Sequence, residues 1–490
     1  MSDDLSSEEQ TRESKLHTLR EAGIDPFAHT YDKTHAIGAV VATYSHIQGE
    51  EVSPESVSVA GRLMAKRGHG KATFGNLMDE SGSIQYYANI DALSEADYDR
   101  LLHLDVGDIV GVKGVVFRSK RGELSIRVSS YQLLTKALHP LPEKFHGLQD
   151  KELRYRHRYV DLIANPDVRH TFKMRSKIIA QIREFLADQE FMEVETPVLH
   201  AIYGGAAARP FTTFHNELSQ SLYLRIALEL HLKRLIVGGF EKIFEIGRVF
   251  RNEGVSYKHN PEYTLLELYQ AYADYNDVMA LTESLLSTLV KKSTGSYKLT
   301  YQDREIDFTP PFKRITLVQA LKDYAGVDAN ADIESLRKHA QQLGLDISQK
   351  PLRGHLLQFI YDKQVEEHLV DPTFVIDYPW ETSPLAKRKR GSTDLVERFE
   401  LIISGMEIAN AFSELNDPID QYERFLDQGR AQDAGDEEAH QMDEDFVLAL
   451  RYGMPPTGGL GIGIDRVVML LTDSPSIRDV IFFPHLKTLK

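Results

Sequence analysis

Residues 244–275, FEIGRVFRNEGVSYKHNPEYTLLELYQAYADY, constrain this chain more than any other stretch. An apolar run ending at Phe250 and Arg251 meets the turn-prone Asn252, Glu253 and Gly254, then a polar loop, then an apolar alternation through Leu266 and Leu268. Alternation with a period of two marks a strand with one buried face, and Gly, Asn and charged residues between two such runs mark a turn. The stretch therefore predicts two antiparallel strands joined by a long, charged loop. Taken alone, such a loop is a solvated hairpin tip. A second stretch, GLGIGIDRVVMLLTDSPSIRDVIFFP at 459–484, places Gly459, Gly461 and Gly463 ahead of an apolar helix with Arg466 in its first turns. Taken alone, it is a glycine-rich joint between a strand and a helix.

The 490 residues exceed what one core usually fills, so two or more domains are expected. Residues 1–54 read as a polar tail with a helix around Ser14 to Ala22, then irregular structure. Residues 55–136 change texture to short alternating runs, VSVAGRL, ATFGNLMD, IQYYANI, DIVGVKGVVF and LSIRVSSYQLL, which predict a small β-barrel that an OB-fold fits. Lys66, Arg67, Lys71, Arg118, Lys120 and Arg121 cluster there around Phe74. Two readings stand: a surface that stacks single-stranded nucleic acid, or a solvated rim over a core phenylalanine. ALHPLPEKF, with Pro140 and Pro142, is a stiff linker, and 137–158 forms the boundary. Within it Arg154, Arg156 and Arg158 either pack as a hinge helix or meet a polyanion.

From 159 to 490 helices and strands interleave. Ile178, Ile182, Phe185 and Leu186 line one face of a helix running from Phe172 to about Gln189, and FMEVETPVL alternates as a strand up to Pro197. LYLRIALELHLKRLIVGG reads as a strand passing into a helix, 276–299 as a helix, and 312–372 as a helical insertion without a chemical motif. FVIDYP (374–379) and RFELIISGMEIANAFSEL (398–415) are strands. The class is α+β: a barrel followed by a domain built on a mixed, mainly antiparallel sheet with flanking helices. No G-x-x-x-x-G-K-[ST] is present, so the common phosphate loop is excluded.

Composition narrows the function classes. With no Cys, the chain has no disulfides, thiolate zinc sites or cysteine nucleophile, and it suits a reducing compartment. The first thirty residues lack an apolar core, and no apolar run reaches bilayer length, so a cytoplasmic protein without a membrane partner is expected. A net charge of −16 argues against a general nucleic-acid coat and leaves only local basic patches for such binding.

Taken together, the hairpin at 244–275 and the glycine-rich stretch at 459–484 resemble motifs 2 and 3 of the class II aminoacyl-tRNA synthetases, and the likeness extends over nearly the whole chain, closest to the bacterial-type lysyl group. The helix, strand and Pro197 correspond to motif 1 and imply a homodimer; periodicity alone equally allows a helix packed on its own domain. The resemblance implies ATP, L-lysine and tRNA(Lys) as partners, with Mg2+ as cofactor. It places Arg251 at the α-phosphate and Arg466 at the γ-phosphate end, Glu253 and Tyr263 at the adenine, and His259 near the outer phosphates. Arginine suits these tasks because its fork binds phosphate oxygens at fixed geometry and keeps its charge. Glu400 and Glu407 match the metal-binding pair. Seven residues apart, they face opposite sides of an uninterrupted strand, so their pairing requires a turn, which Ser404 and Gly405 can supply.

The resemblance also assigns the amino-acid pocket. Glu229 and Glu414 would face the side-chain ammonium with Tyr269 beside them, Glu267 and Gly205 would hold the α-amino group, Asn410 would orient the carboxylate, and Phe412 would cover the aliphatic stem. In the barrel, Phe74, Gln85 and Glu123 match anticodon-reading positions. Leu228 stands where many relatives have Pro, His231 where they often have Tyr, and Ala409 and Ala411 where many have Gly. Three rivals remain. An aspartyl or asparaginyl enzyme would need a cation at the closed end of the pocket, and none is read in these stretches. Truncated relatives that activate β-lysine also carry Ala at the position of Ala409, but they lack the barrel. A non-catalytic paralogue would not need Arg251, Glu253, Glu400, Glu407 and Arg466 together.

Overall fold

The computed structural model describes residues 6–49, 51–142, 148, 150–347, 351–433 and 441–488. Parts of the expected tail (1–5), linker (143–147 and 149) and insertion (348–350) thus lie outside the described residues. The chain divides into two compact units, Met1–Gln149 and Asp150–Lys490.

In the first unit β1 (Val52–His69), β2 (Ala72–Met78), β3 (Ser83–Asn89), β4 (Ile109–Arg118) and β5 (Leu124–Thr135) close into a barrel in the order β1-β2-β3-β5-β4. Every pairing is antiparallel except β3 with β5. Alternation fills the interior: Ile84, Tyr86 and Ala88 of β3 point inward, and the ring of Tyr86 occupies the space over Gly75, where a Cβ would lie 2.3 Å from it. The described residues before the barrel, 6–49, are largely ordered on it. The expected helix begins earlier, at Ser7, because Ser6 and Glu9 form a capping box. Ile37, Val40 and Ile47 then join Val57, Val59 and Leu63 in the barrel core.

The second unit is built on eight strands: β6 (Met192–Glu193), β7 (Lys242–Phe250), β8 (Glu262–Ala271), β9 (Lys313–Thr316), β10 (Thr373–Pro379), β11 (Leu395–Ile403), β12 (Met406–Ser413) and β13 (Thr457–Gly463). Their order in the sheet is β9-β10-β11-β12-β13-β8-β7-β6, antiparallel except at the two edges, where β9 with β10 and β6 with β7 run parallel. The helices that matter here are α1 (Pro166–Asp188), α2 (Glu229–Val237), α3 (Tyr275–Thr294), α4 (Arg353–Gln364), α5 (Glu444–Arg451) and α6 (Ile464–Leu471). Ile178, Ile182 and Leu186 of α1, Leu285 and Leu289 of α3, and Val467 and Val468 of α6 cover one sheet face, packing on Leu266, Leu268, Phe399, Leu401, Ala409, Ala411, Leu460 and Ile462. Each such Leu or Ile contributes about 1.5–3 kcal/mol by leaving water. Because side chains alternate, the residues between these in sequence look out of the opposite face, and that face carries the site. No helix of the described residues is long and apolar enough to cross a membrane.

Three expectations change. The insertion opens with β9, an edge strand of the main sheet, before turning helical. FMEVETPVL pairs with the main sheet only at Met192 and Glu193, opposite Ile243 and Phe244, and its last residue, Leu199, pairs separately with Leu224, so the expected strand is broken into two short pieces. The hinge arginines are spent inside the second unit: Arg154 and Arg158 both pair with Asp161, at 2.8 and 2.6 Å, and Arg156 pairs with Glu152 at 2.5 Å. That favours packing over a polyanion site.

Candidate active site

The open sheet face and the loops above it enclose a cavity of about 430 Å³. Leu265, Glu267 and Tyr269 of β8, Arg398 and Glu400 of β11, Asn410 and Phe412 of β12, and Gly459 and Gly461 of β13 form its floor. Gly205, Glu229, Arg251, Glu253, His259, Tyr263, Glu407, Glu414 and Arg466 complete the wall, so every site residue expected in this unit lies on one cavity. The glycines of β13 do different things. A Cβ on Gly459 would lie 1.9 Å from Glu414 Oε1 and 2.6 Å from the Tyr269 ring, so this glycine seats both side chains. A Cβ on Gly461 would meet nothing closer than 3.9 Å, so that position is open to a ligand. Ala409 and Ala411 point away, into the core.

At the closed end three carboxylates converge: Glu229 at the start of α2 (5% exposed), Glu267 on β8 (5%) and Glu414 just after β12 (2%). Glu267 accepts from the Leu228 amide at 3.0 Å and from the Tyr269 hydroxyl at 3.1 Å. A proline at 228 would have no such N–H to give. Burial first, then the charge of Glu229, pushes the Glu267 carboxyl up to about 7. The expectation that no cation sits at this end is corrected: Lys233, fully buried and one helical turn beyond Glu229, is in ion-pair contact with both Glu229 and Glu414. Burial raises the Glu229 carboxyl, and burial with the Glu229 charge raises Glu414 to about 8, while Lys233 pulls both down. The facing carboxylates raise Lys233 against its own burial. We take the lysine as charged, because it lies between two acids. Spacing was the available signal: Glu229 and Lys233 are four residues apart on one helix face, a pattern that ordinarily means a surface pair.

The outer part of the cavity is cationic. Arg251 leaves β7 with its guanidinium 5.5 Å from the centre of the Tyr263 ring and its Nε bonded to the Ile226 carbonyl at 3.3 Å. Arg466 lies in the first turn of α6, donates to the Glu407 carbonyl at 2.5 Å and meets His259 Nε2 at 3.3 Å. That turn is held from below, since Asp465 pairs with Arg175 of α1 at 2.5 Å and accepts from the Thr264 amide at 2.7 Å. Desolvation first, then the charges of Arg466 and Lys258, lowers the pKa of His259 and favours the neutral ring. Glu253 lies at the cavity edge, with its neighbour Asn252 tied through its amide to the Arg209 carbonyl at 2.8 Å.

Glu400 and Glu407 meet as the turn argument requires. Ser404 and Gly405, with φ of 50° and 65°, form a two-residue hairpin turn between β11 and β12, and both carboxylates line the cavity. Burial raises the Glu400 carboxyl to about 8; Glu407 and Asp362 add to this, and Arg398, 2.5 Å away, opposes it. Glu400 is buried and Glu407 half-buried, and two carboxylates on one wall of the cavity suit a cation. Among the described residues no cluster of three or more acids, histidines or cysteines could hold a metal by itself. A two-carboxylate donor set fits an ion such as Mg2+ that takes its other ligands from phosphates and water. Arg398 was missed, although it stands two residues before Glu400 and so on the same strand face.

On the barrel, Phe74 faces outward, 36% exposed, and is not a core residue. It starts a row of rings, with Tyr87 5.0 Å from Phe74, Phe117 6.0 Å from Tyr87, and the Arg127 guanidinium 4.8 Å from Phe117. Gln85 lies on the same face of β3 as Tyr87 and is hydrogen-bonded to Glu123 and, at 2.9 Å, to Ser125. Two of the expected basic residues are engaged elsewhere. Lys66 donates to the Leu102 carbonyl at 2.5 Å, and Arg118 to the carbonyls of Ile47, Gly122 and Ser45 at 2.6, 2.7 and 2.8 Å.

A β-barrel of OB topology and an antiparallel sheet whose open face sets paired arginines against buried acids define the class. The chain belongs to the class II tRNA synthetases of the D, K and N group, whose family matches residues 150–487, and residues 57–134 match the OB-fold nucleic acid binding domain. Similar proteins include the lysine-tRNA ligase of Thermoanaerobacter sp. (strain X514), 55% identical over 480 residues, 97% of this chain and 95% of that protein. The lysine-tRNA ligases of Moorella thermoacetica and Bacillus subtilis (strain 168) are 54% and 51% identical over 97% and 99% of this chain, and over 97% and 98% of their own lengths.

Proposed function

We propose that the chain is a lysine-tRNA ligase that activates L-lysine with ATP and transfers it to the 3′ end of tRNA(Lys). The observation that carries the choice of amino acid is the charge inventory of the closed end. Glu229, Glu267 and Glu414 bring three carboxylates, and Lys233 brings one ammonium. Two positive charges are missing, and L-lysine carries two. An unpaired buried carboxylate is costly, so a neutral or acidic side chain would leave the site unbalanced. Lys233 does not revive the aspartyl alternative, because its charge is already taken by two glutamates.

In this reading the lysine carboxylate attacks the α-phosphorus, the bond to the β-phosphate breaks, and pyrophosphate leaves. The attacking oxygen is already anionic and needs no general base. Catalysis is then placement and electrostatics: Arg251 meets charge at the α-phosphate, Arg466 with neutral His259 meets the outer phosphates, and Tyr263 with Glu253 holds the adenine. Mg2+ on Glu400 and Glu407, when bound, offsets triphosphate charge. A terminal ribose hydroxyl of the tRNA then attacks the lysyl carbonyl carbon and AMP departs. The row of Phe74, Tyr87 and Phe117 supports anticodon binding, with Gln85 and Glu123 at base edges. The edge strand β6 and the exposed Met192, Leu199, Phe214 and Leu218 support a homodimer through this region. The absence of Cys supports a cytoplasmic setting. Pyrophosphate exchange with each amino acid in turn tests the assignment: lysine alone should support it, and exchange driven by aspartate or asparagine would overturn it.

A further inference from the structure

Lys233 stands apart from the rest of the wall because it is the one basic residue of α2 placed against carboxylates that belong to the cavity. Its side chain is fully buried, between Glu229 of its own helix and Glu414 from the end of β12. Glu414 uses its two oxygens differently. Oε2 takes the ion pair with Lys233, whereas Oε1 lies over Gly459 on the cavity floor. Packing does not account for a lysine here, since Leu230, Leu232 and Ile236 already anchor the helix in an apolar cluster. A buried ion pair is in general no more stabilising than apolar residues of similar volume.

Resting on the function proposed above, we propose that Lys233 is a positioning and specificity-determining residue. Its ammonium holds Glu229 and Glu414 at one separation and cancels one of their two charges. The closed end is thereby set to accept a side chain bearing a single positive charge. Lys233 itself does not touch the substrate. The groups facing it are Glu229 on α2 and Glu414, and behind these two acids lie Glu267 and Tyr269 of β8. On α5 the Phe446 ring lies 6.0 Å from its Nζ, and the acids beside that helix, Asp443 and Asp445, are paired with Arg234.

Without Lys233 the two glutamates become like charges in a buried space and would share a proton in its place. Binding a cationic side chain would then compete with that proton. The test is lysine-dependent pyrophosphate exchange from pH 6 to 8.5 in Lys233→Met and in Glu229→Gln/Lys233→Met, with thermal unfolding of each recorded. Lys233→Met should raise the lysine KM about tenfold or more, the scale of a lost contact to a charged group, and leave the ATP KM unchanged. Its lysine KM should also fall with rising pH more steeply than in the wild type. The double variant keeps one fixed negative charge, so its pH profile should return to the wild-type form and its lysine KM should lie below that of the single variant. A wild-type lysine KM and pH profile in Lys233→Met would overturn the proposal, as would a double variant with the steeper pH profile. If Lys233→Met does not fold, the double variant decides by the same criterion. Failure of the wild type to exchange with lysine is a different result, and overturns the function itself.

Discussion

Lowering the pH from 8 to 6 should weaken lysine binding through Glu267. This carboxyl is pushed up to about 7 by burial and by the neighbouring Glu229 charge. With Glu267 proposed to hold the α-ammonium of lysine, only its ionised form would do so, and affinity should be present above about 7 and be lost as the pH falls through that value. With a pKa of about 7, roughly ten in eleven molecules are ionised at pH 8 and roughly one in eleven at pH 6, which is about tenfold in affinity, or about 1.4 kcal/mol. Burial raises Glu414 as well, but its ion pair with Lys233 favours the ionised form, so the limb near 7 belongs to Glu267. The assay is the lysine KM in pyrophosphate exchange from pH 6 to 8.5, supported by calorimetry in two buffers of different ionisation heat to count protons released on binding. Glu267→Gln should remove the lower limb and leave the affinity at pH 8 about tenfold weaker. A wild-type profile that is flat from pH 6 to 8, or a lower limb that survives in Glu267→Gln, would refute the argument.

Four further outcomes are expected. Arg251→Ala and Arg466→Ala should each lower pyrophosphate exchange on the order of a hundredfold or more with unfolding curves unchanged, and near-normal exchange would contradict their roles. Glu229→Gln and Glu414→Gln should each raise the lysine KM roughly tenfold, at least about 1.5 kcal/mol, while the ATP KM holds; unchanged lysine dependence in both would remove the lysine assignment. Gly461→Ala should fold normally, since the added carbon meets nothing closer than 3.9 Å, yet bind substrates poorly; full activity would show that this floor position is not used. Phe74→Ala should cost about 1–3 kcal/mol of tRNA binding without altering pyrophosphate exchange, and equal charging efficiency would count against the anticodon assignment.

Alternation made the strands of the site legible in the sequence. Leu266 and Leu268 mark the core side of β8, so Glu267 had to face the other way, and the same rule places Glu400 opposite Phe399 and Leu401. The Ser404–Gly405 turn could be required from the odd spacing of Glu400 and Glu407 alone. Long-range facts were not legible. Lys233 sits at a spacing shared by countless solvated pairs, and only the approach of Glu414, 181 positions along, buries it. Arg158 looked like part of a basic surface run until Asp161 took its charge at 2.6 Å. KRIT at 313–316 is too short to declare itself a strand, and owes that state to its parallel partner Thr373–Ile376. Lys66 and Arg118 counted as surface charge because sequence does not reveal which carbonyls lie within reach.

The insertion at 312–372 is not a separable module. Its first residues supply the outermost strand, and its last ones hold the hairpin that carries the acidic pair: the amides of Ser404 and Gly405 donate to the carbonyls of Val370 and Leu369 at 2.9 and 3.0 Å. Lys258, from the loop between β7 and β8, donates to the Gly405 carbonyl at 2.5 Å. Trimming this region to make a minimal enzyme would therefore unlatch the turn between Glu400 and Glu407, and the loss would register first in nucleotide handling, far along the sequence from the cut.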